Sequence, residues 1–187
     1  MMMNKALIGL LIGVVAVGCQ KKADEQAEAP QTQAQQQAPA PKPTMKQSDA
    51  RVWVNAVTAK AGGSGSFGIG YYGVEEAKAI VVPISYPTGM TVDSISFAGS
   101  IIENIATRPV RINNEAHQLL FSAIPTTEPL IPAKEGLLAT IHFTLAGDAI
   151  SGLIDETFIP PANYLAYVDT ASTQVEPLFE AGQLTVE

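Results

Sequence analysis

The sequence predicts an all-β domain, a β-sandwich or a barrel, and three observations lead there. From about Arg51 onward, apolar side chains recur with a period of two rather than 3.6. Prolines and glycines interrupt these runs at short intervals. No stretch carries a sustained helical stripe. Many short strands with regular turn signals are the pattern of a sandwich or barrel.

The chain ahead of that domain divides in two. Lys5 is followed by an uncharged apolar run from Ala6 to Gly18, too short for the roughly 20 residues that cross a bilayer. A basic start, a short apolar core and small residues at its end describe a signal peptide over residues 1–18. The run closes on Ala16-Val17-Gly18-Cys19, and Cys19 is the only cysteine in the chain. This stretch resembles the lipobox of bacterial lipoproteins, although that family more often has Leu where Ala16 stands. The resemblance implies cleavage before Cys19, a diacylglycerol on its thiol and an acylated amino terminus, and two or more acyl chains give stable anchoring. By analogy with enteric bacteria, where Asp after the lipidated Cys favours the inner membrane, Gln20 points to the outer membrane. Residues 19–50 are rich in Gln, Ala, Pro and charge, with Met45 their only large apolar side chain. Such a segment cannot bury enough apolar surface to offset its ordering entropy, so a disordered tether is expected.

The domain is expected over residues 51–187, long enough for one core. It carries six basic residues against fourteen acidic ones, which argues against nucleic acid and against anionic lipid as partners. "RVWVNAVTA" opens it as a β-branched strand bounded by Gly62-Gly63. "GSGSFGIGYYG" alternates Phe67, Ile69 and Tyr71 with a bare face of Gly68 and Gly70, which suits close packing or a bulge. "AKAIVVPISY" sets Ile80, Val82, Ile84 and Tyr86 on one face, and Pro83 inside it suggests an edge or a bulge. "TVDSISFAG" follows a Pro87-Thr88-Gly89 turn, and "SIIENIA" suits a short helical turn. "AHQLLFSAI" places Leu119, Phe121 and Ala123 opposite Leu120, Ser122 and Ile124. "LLATIHFTLAG" is the clearest alternation: Ala139, Ile141, Phe143 and Leu145 point one way, and Thr140, His142 and Thr144 the other. "NYLAYVD" and "GQLTVE" read as the last strands, and the first and last strands are expected to close one domain.

Two blocks carry a family resemblance. The stretch from Val52 to Ser100 resembles the first half of cohesin domains, with its opening strand, Gly-containing turn and third strand ending in Tyr86-Pro87. "KEGLLATIHFTL" resembles their later Gly-Leu-Leu-Ala-x-Ile-x-Phe strand. The Tyr-Asp-Pro often seen in the family lacks its Asp here. The resemblance implies a jelly-roll β-sandwich, close in shape to carbohydrate-binding modules. It also implies a non-catalytic module for protein–protein binding, of which dockerins are the partners in cellulosomes. Carbohydrate binding is the alternative.

Enzyme signatures are weak. Gly-x-Gly-x-x-Gly occurs twice, starting at Gly63 and at Gly68, but no helix follows to hold a pyrophosphate. His117 and His142 are far apart, and without a further thiolate or a His-x-x-x-His a catalytic zinc is not expected. Glu75-Glu76 and Asp155-Glu156 are neighbours that a strand would turn to opposite sides. Asp148, Asp155 and Glu156 leave a loop calcium site open, although surface acids explain them equally. No catalytic residue and no cofactor is expected. The candidates for ligand binding are the aromatics Trp53, Tyr71, Tyr72, Tyr164 and Tyr167, as a platform for sugar rings or a protein hot spot, with core packing the competing explanation.

Overall fold

The computed structural model describes residues 42–187, so the signal peptide, Cys19 and the tether up to residue 41 lie outside the described residues. The alternating runs become strands β1 (Lys46–Val54), β2 (Val57–Ala59), β3 (Ser64–Tyr72), β4 (Ala77–Ser85), β5 (Met90–Ser96) and β6 (Val110–Asn113). They continue as β7 (Gln118–Ala123), β8 (Glu135–Leu145), β9 (Gly152–Glu156), β10 (Ala166–Asp169), β11 (Gln174–Glu180) and β12 (Gly182–Val186). Among the described residues there is no helix.

The fold is a jelly-roll β-sandwich. One layer runs β5-β8-β3-β1, and β1 pairs in parallel with β11. The other has β4 at its centre, flanked by β7 and then β6 on one side and by β9 and β10 on the other. β11 carries the sheet from one layer to the other, because it also pairs with β10. The first and last strands do close the domain: β1 pairs with β11, and β2 with β12.

Period-two alternation explains the core. Phe67, Ile69 and Tyr71 of β3 face inward with Ile141 and Phe143 of β8, while Ile80, Val82 and Ile84 of β4 and Leu119 and Phe121 of β7 meet them from the other layer. The Phe67 and Phe143 rings pack 6.0 Å apart at 43°. Phe97 sets its ring edge-on to Phe121 at 5.9 Å.

Four details differ from the sequence reading. β1 opens at Lys46, ahead of the boundary placed at Arg51, because Ala50 is fully buried and Lys46 and Gln47 pair with β11. Pro83 sits in a central strand rather than at an edge. Its carbonyl accepts from Thr157 N, so its ring nitrogen turns to the interruption between β9 and β10, where no ladder needs an N–H. The "SIIENIA" stretch makes successive turns, Glu103 N to Ser100 O and Ile105 N to Ile102 O, and buries Ile102. β6, β9 and β11 were not expected, and β11 incorporates Pro177.

Candidate binding surfaces

Each layer turns one face to the core and one outward, and the two outer faces differ in chemistry. Register defines them, since paired residues project to the same side of a sheet. In the β4 layer Ala166, Val81 and Ser122 form one transverse row, and Pro83, Leu120 and Arg111 the next. A third row is Ser85, Gln118 and Asn113. These residues alternate with the inward Ile80, Val82, Ile84, Leu119 and Phe121, so they project to the outer side of the layer, where Ala166, Pro83 and Ser122 are nonetheless buried. The middle of this face is apolar, with half-buried Val81 and Leu120, and exposed Ile124 just past the end of β7. Its rim is polar. A groove of about 230 Å³ lies at one margin, where Val81 and Ala166 meet Tyr164, Asn163, Pro43 and Met45. Tyr164 stacks on Phe158 there, with ring centroids 4.6 Å apart. Lys42 ion-pairs with Glu176 beside it. That hydrogen bond raises the Lys42 pKa, and burial raises that of the nearby Glu156.

The outer face of the β1-β3-β8 layer is polar and carries one aromatic cleft. Arg51, Tyr72 and Glu135 occupy one row of the register, and Glu180, Trp53 and Gly70 the adjacent one. These residues, Gly70 excepted, line a cleft of about 390 Å³. Trp53 lies across Gly70: a Cβ there would collide with Cε2, Cζ2 and Nε1 of the indole. Gly68 is covered in the same way by Asn55 and Leu137, and the β3–β8 register shifts between Ile69 and Gly70. The bare face of β3 therefore serves close packing, and at the register shift the extra residue is Leu138 of β8. Arg51 Nη1 approaches Glu180 Oε1 at 4.0 Å across the cleft's edge.

The five aromatic candidates thus separate. Trp53 and Tyr72 come together in the polar-face cleft, and Tyr164 stands at the groove on the opposite layer. Tyr71 and Tyr167 are a correction: at 0% and 1% exposure they are core residues rather than a stacking platform, and Tyr167 reaches only the floor of a small cleft beside Ser48 and Glu75. The physical reason is their strand parity, since each points inward from its strand. Tyr167 OH donates to Ser48 Oγ at 2.9 Å and lies 3.3 Å from Glu75 Oε1. Tyr71 OH is buried without a hydrogen-bond partner among the described residues. Burial raises the pKa of both phenols.

The enzyme candidates do not converge. His142 is exposed on the polar face, while His117 sits in the β6–β7 turn at φ 51° with its ring edge-on to Tyr86. The glycine motif is the strand β3, not a phosphate loop. Asp155 and Glu156 lie on β9, and among the described residues no group of three or more His, Cys, Asp or Glu side chains could hold a metal ion.

Sequence comparison finds little: no protein-family model matches, and no curated protein is significantly similar. Solved structures match across the whole domain. The third cohesin of ScaC from Acetivibrio cellulolyticus, solved with the ScaB dockerin, aligns with a TM-score of 0.62 at 24% identity over 73% of this chain and 98% of that one. The OlpC cohesin of Clostridium thermocellum, in a type I cohesin–dockerin complex, gives 0.64 at 16% identity over 78% and 98%. The domain is cohesin-like in fold. A non-cellulosomal cohesin from the archaeon Archaeoglobus fulgidus aligns too, with a TM-score of 0.59 at 14% identity over 75% and 92%. The strand order behind both outer faces of this cohesin-like domain is therefore a shared architecture, while at these identities its side chains are its own.

Proposed function

We propose that the chain is a lipid-anchored protein of the cell envelope, held at the outer membrane, whose cohesin-like domain is a non-catalytic module for a protein partner of the dockerin kind. The observation that carries this is the outer face of the β4 layer, where Val81 and Leu120 form an apolar centre inside a rim of Arg111, Gln118 and Ser85 on rigid paired strands. An apolar centre within a polar rim is the anatomy of a protein interface. The type I cohesin–dockerin complexes among the similar structures support the choice of partner. Cys19 supplies the anchor and residues 20–41 the spacing from the membrane. The acidic excess of the domain suits a module held away from anionic lipid.

Titration calorimetry of the detergent-solubilised chain against purified type I dockerins tests the reading. Leu120→Asp places a charge at the centre of the face and should weaken binding by about 100-fold, the loss of a central hot spot. Absence of binding to any dockerin, or binding indifferent to Leu120→Asp, would count against it.

A further inference from the structure

The cleft on the opposite layer is not used by that function, and its construction points to a second ligand. Trp53 is held flat on the sheet because Gly70 has no side chain to lift it. Tyr72, 41% exposed, flanks it from the neighbouring row. Arg51, Glu135 and Glu180 stand around these two rings, and Arg51 is already set against Glu180. Among the described residues Glu135 has no ion-pair partner. The site is therefore an aromatic floor within a rim of planar hydrogen-bonding groups, carried on strands rather than loops.

Each ligand class makes a different demand on such a site. A cationic side chain would seek the rings and the carboxylates but would meet Arg51 beside Trp53. An anionic sugar would face two carboxylates against one guanidinium. A purely apolar group would strip water from three charged side chains without replacing their hydrogen bonds. A neutral pyranose satisfies all of them, because it presents a flat C–H face to an indole and hydroxyls around its perimeter. An all-equatorial, β-linked pyranose presents such a face on either side, whereas an axial hydroxyl blocks the face from which it projects, so the β-linked unit fits the indole in either orientation. The same outer face continues into the rows Ser66, His142, Ser94 and Ser64, Thr144, Thr91, a surface of hydroxyl and imidazole groups beyond the cleft, where Thr144 donates to the Asp93 carboxylate at 2.8 Å.

We propose that this cleft is a saccharide subsite for a neutral, β-linked pyranose unit, with Trp53 as the stacking platform, Tyr72 as its flank, and Arg51, Glu135 and Glu180 as the hydrogen-bonding rim. The domain then holds two ligands on opposite layers: a protein on the β4 side and a glycan strand on the β3 side.

Trp53 is the only tryptophan of the chain, so its emission reads the site directly. The full chain in detergent is titrated with cellohexaose, xylohexaose and chitohexaose, with maltohexaose and oligogalacturonate for comparison. A saturable change in emission is expected with at least one β-1,4-linked neutral hexaose, at lower concentration than with either comparison sugar. By calorimetry, Trp53→Ala should weaken that binding at least about tenfold, the scale of a lost anchor. Tyr72→Ala and Glu135→Gln, at more exposed positions, should each weaken it by about three- to tenfold, and they keep the test available if Trp53→Ala does not fold. Leu120→Asp should leave sugar binding unchanged, which separates this site from the protein-binding face. The proposal is overturned by no saturable response to the three neutral hexaoses at millimolar concentration. Tighter binding of maltohexaose or oligogalacturonate would overturn it too, as would sugar affinity unchanged in the folded variants.

Discussion

Phe143 and His142 are adjacent on β8 and point to opposite sides of the sheet, so replacing each with Ala asks whether the strand is placed correctly. Phe143 is fully buried, packs on Phe67 at 6.0 Å and lies over Gly65, where a Cβ would come within 2.8 Å of its Cζ. Burying an aromatic ring removes roughly 150–250 Å² from water, worth about 4–6 kcal/mol at about 25 cal/mol per Å². Alanine retains a small part of that, and Gly65 has no side chain with which to fill the hole. Phe143→Ala should therefore cost about 4 kcal/mol, inside the range of about 3–5 kcal/mol for buried Phe. His142 is exposed between Ser66 and Ser94, so His142→Ala should change stability by no more than about 0.5 kcal/mol. Urea melts followed by far-UV circular dichroism give both values, with unchanged slopes showing that both variants unfold as the parent does. Equal costs, or a larger cost at His142, would refute the assignment of the two faces and with it the sandwich.

Three further expectations follow from particular residues. Gly70→Val should push Trp53 off the sheet, shifting its emission to the red and destabilising by about 1–3 kcal/mol as an overpacked site does; emission like the parent's would contradict the close approach. Burial pushes the Tyr86 phenol up to about 12 and raises those of Tyr71 and Tyr167 as well. The native state then keeps protons that the unfolded chain releases near pH 10, so this stability is intact below about pH 10 and lost as pH climbs towards 12. Absorbance titration at alkaline pH should show these tyrosines ionising only with unfolding, and a single early transition for all five would contradict their burial. Cys19→Ser removes the only thiol that a lipid can take, so the variant should leave the membrane fraction or accumulate as precursor, whereas identical fractionation without palmitate uptake by the parent would exclude the anchor.

The sequence revealed the strands whose two faces meet different surroundings. β3, β4, β7 and β8 each have one face in the core and one outside, so apolar and polar or small residues alternate along them. β6 and β9 are short, and β11 contains Pro177, so none offers enough alternation to stand out from loops. Pro83 misled for a different reason, because the gap between β9 and β10 that accommodates it is set by residues far along the chain. The aromatic cleft was half legible. Tyr72 shares strand parity with Gly70 and Gly68, and Tyr71 shares it with Phe67 and Ile69, so one faces outward and the other inward. That Trp53 would lie over Gly70 depends on the β1–β3 register, which no local pattern states. Glu135 and Glu180 were missed altogether, since they reach the cleft from strands distant in sequence.

Hydrogen exchange on the chain with and without a bound type I dockerin tests the proposed binding face most directly. β6 is an edge strand, paired only with β7, so its outward amides exchange readily unless something covers them. Binding through the β4 layer predicts slowed exchange in β6 and the adjoining β6–β7 turn, with the β1–β3 cleft unchanged. Slowed exchange confined to β1, β3 and β5, with β6 unaffected, would contradict it.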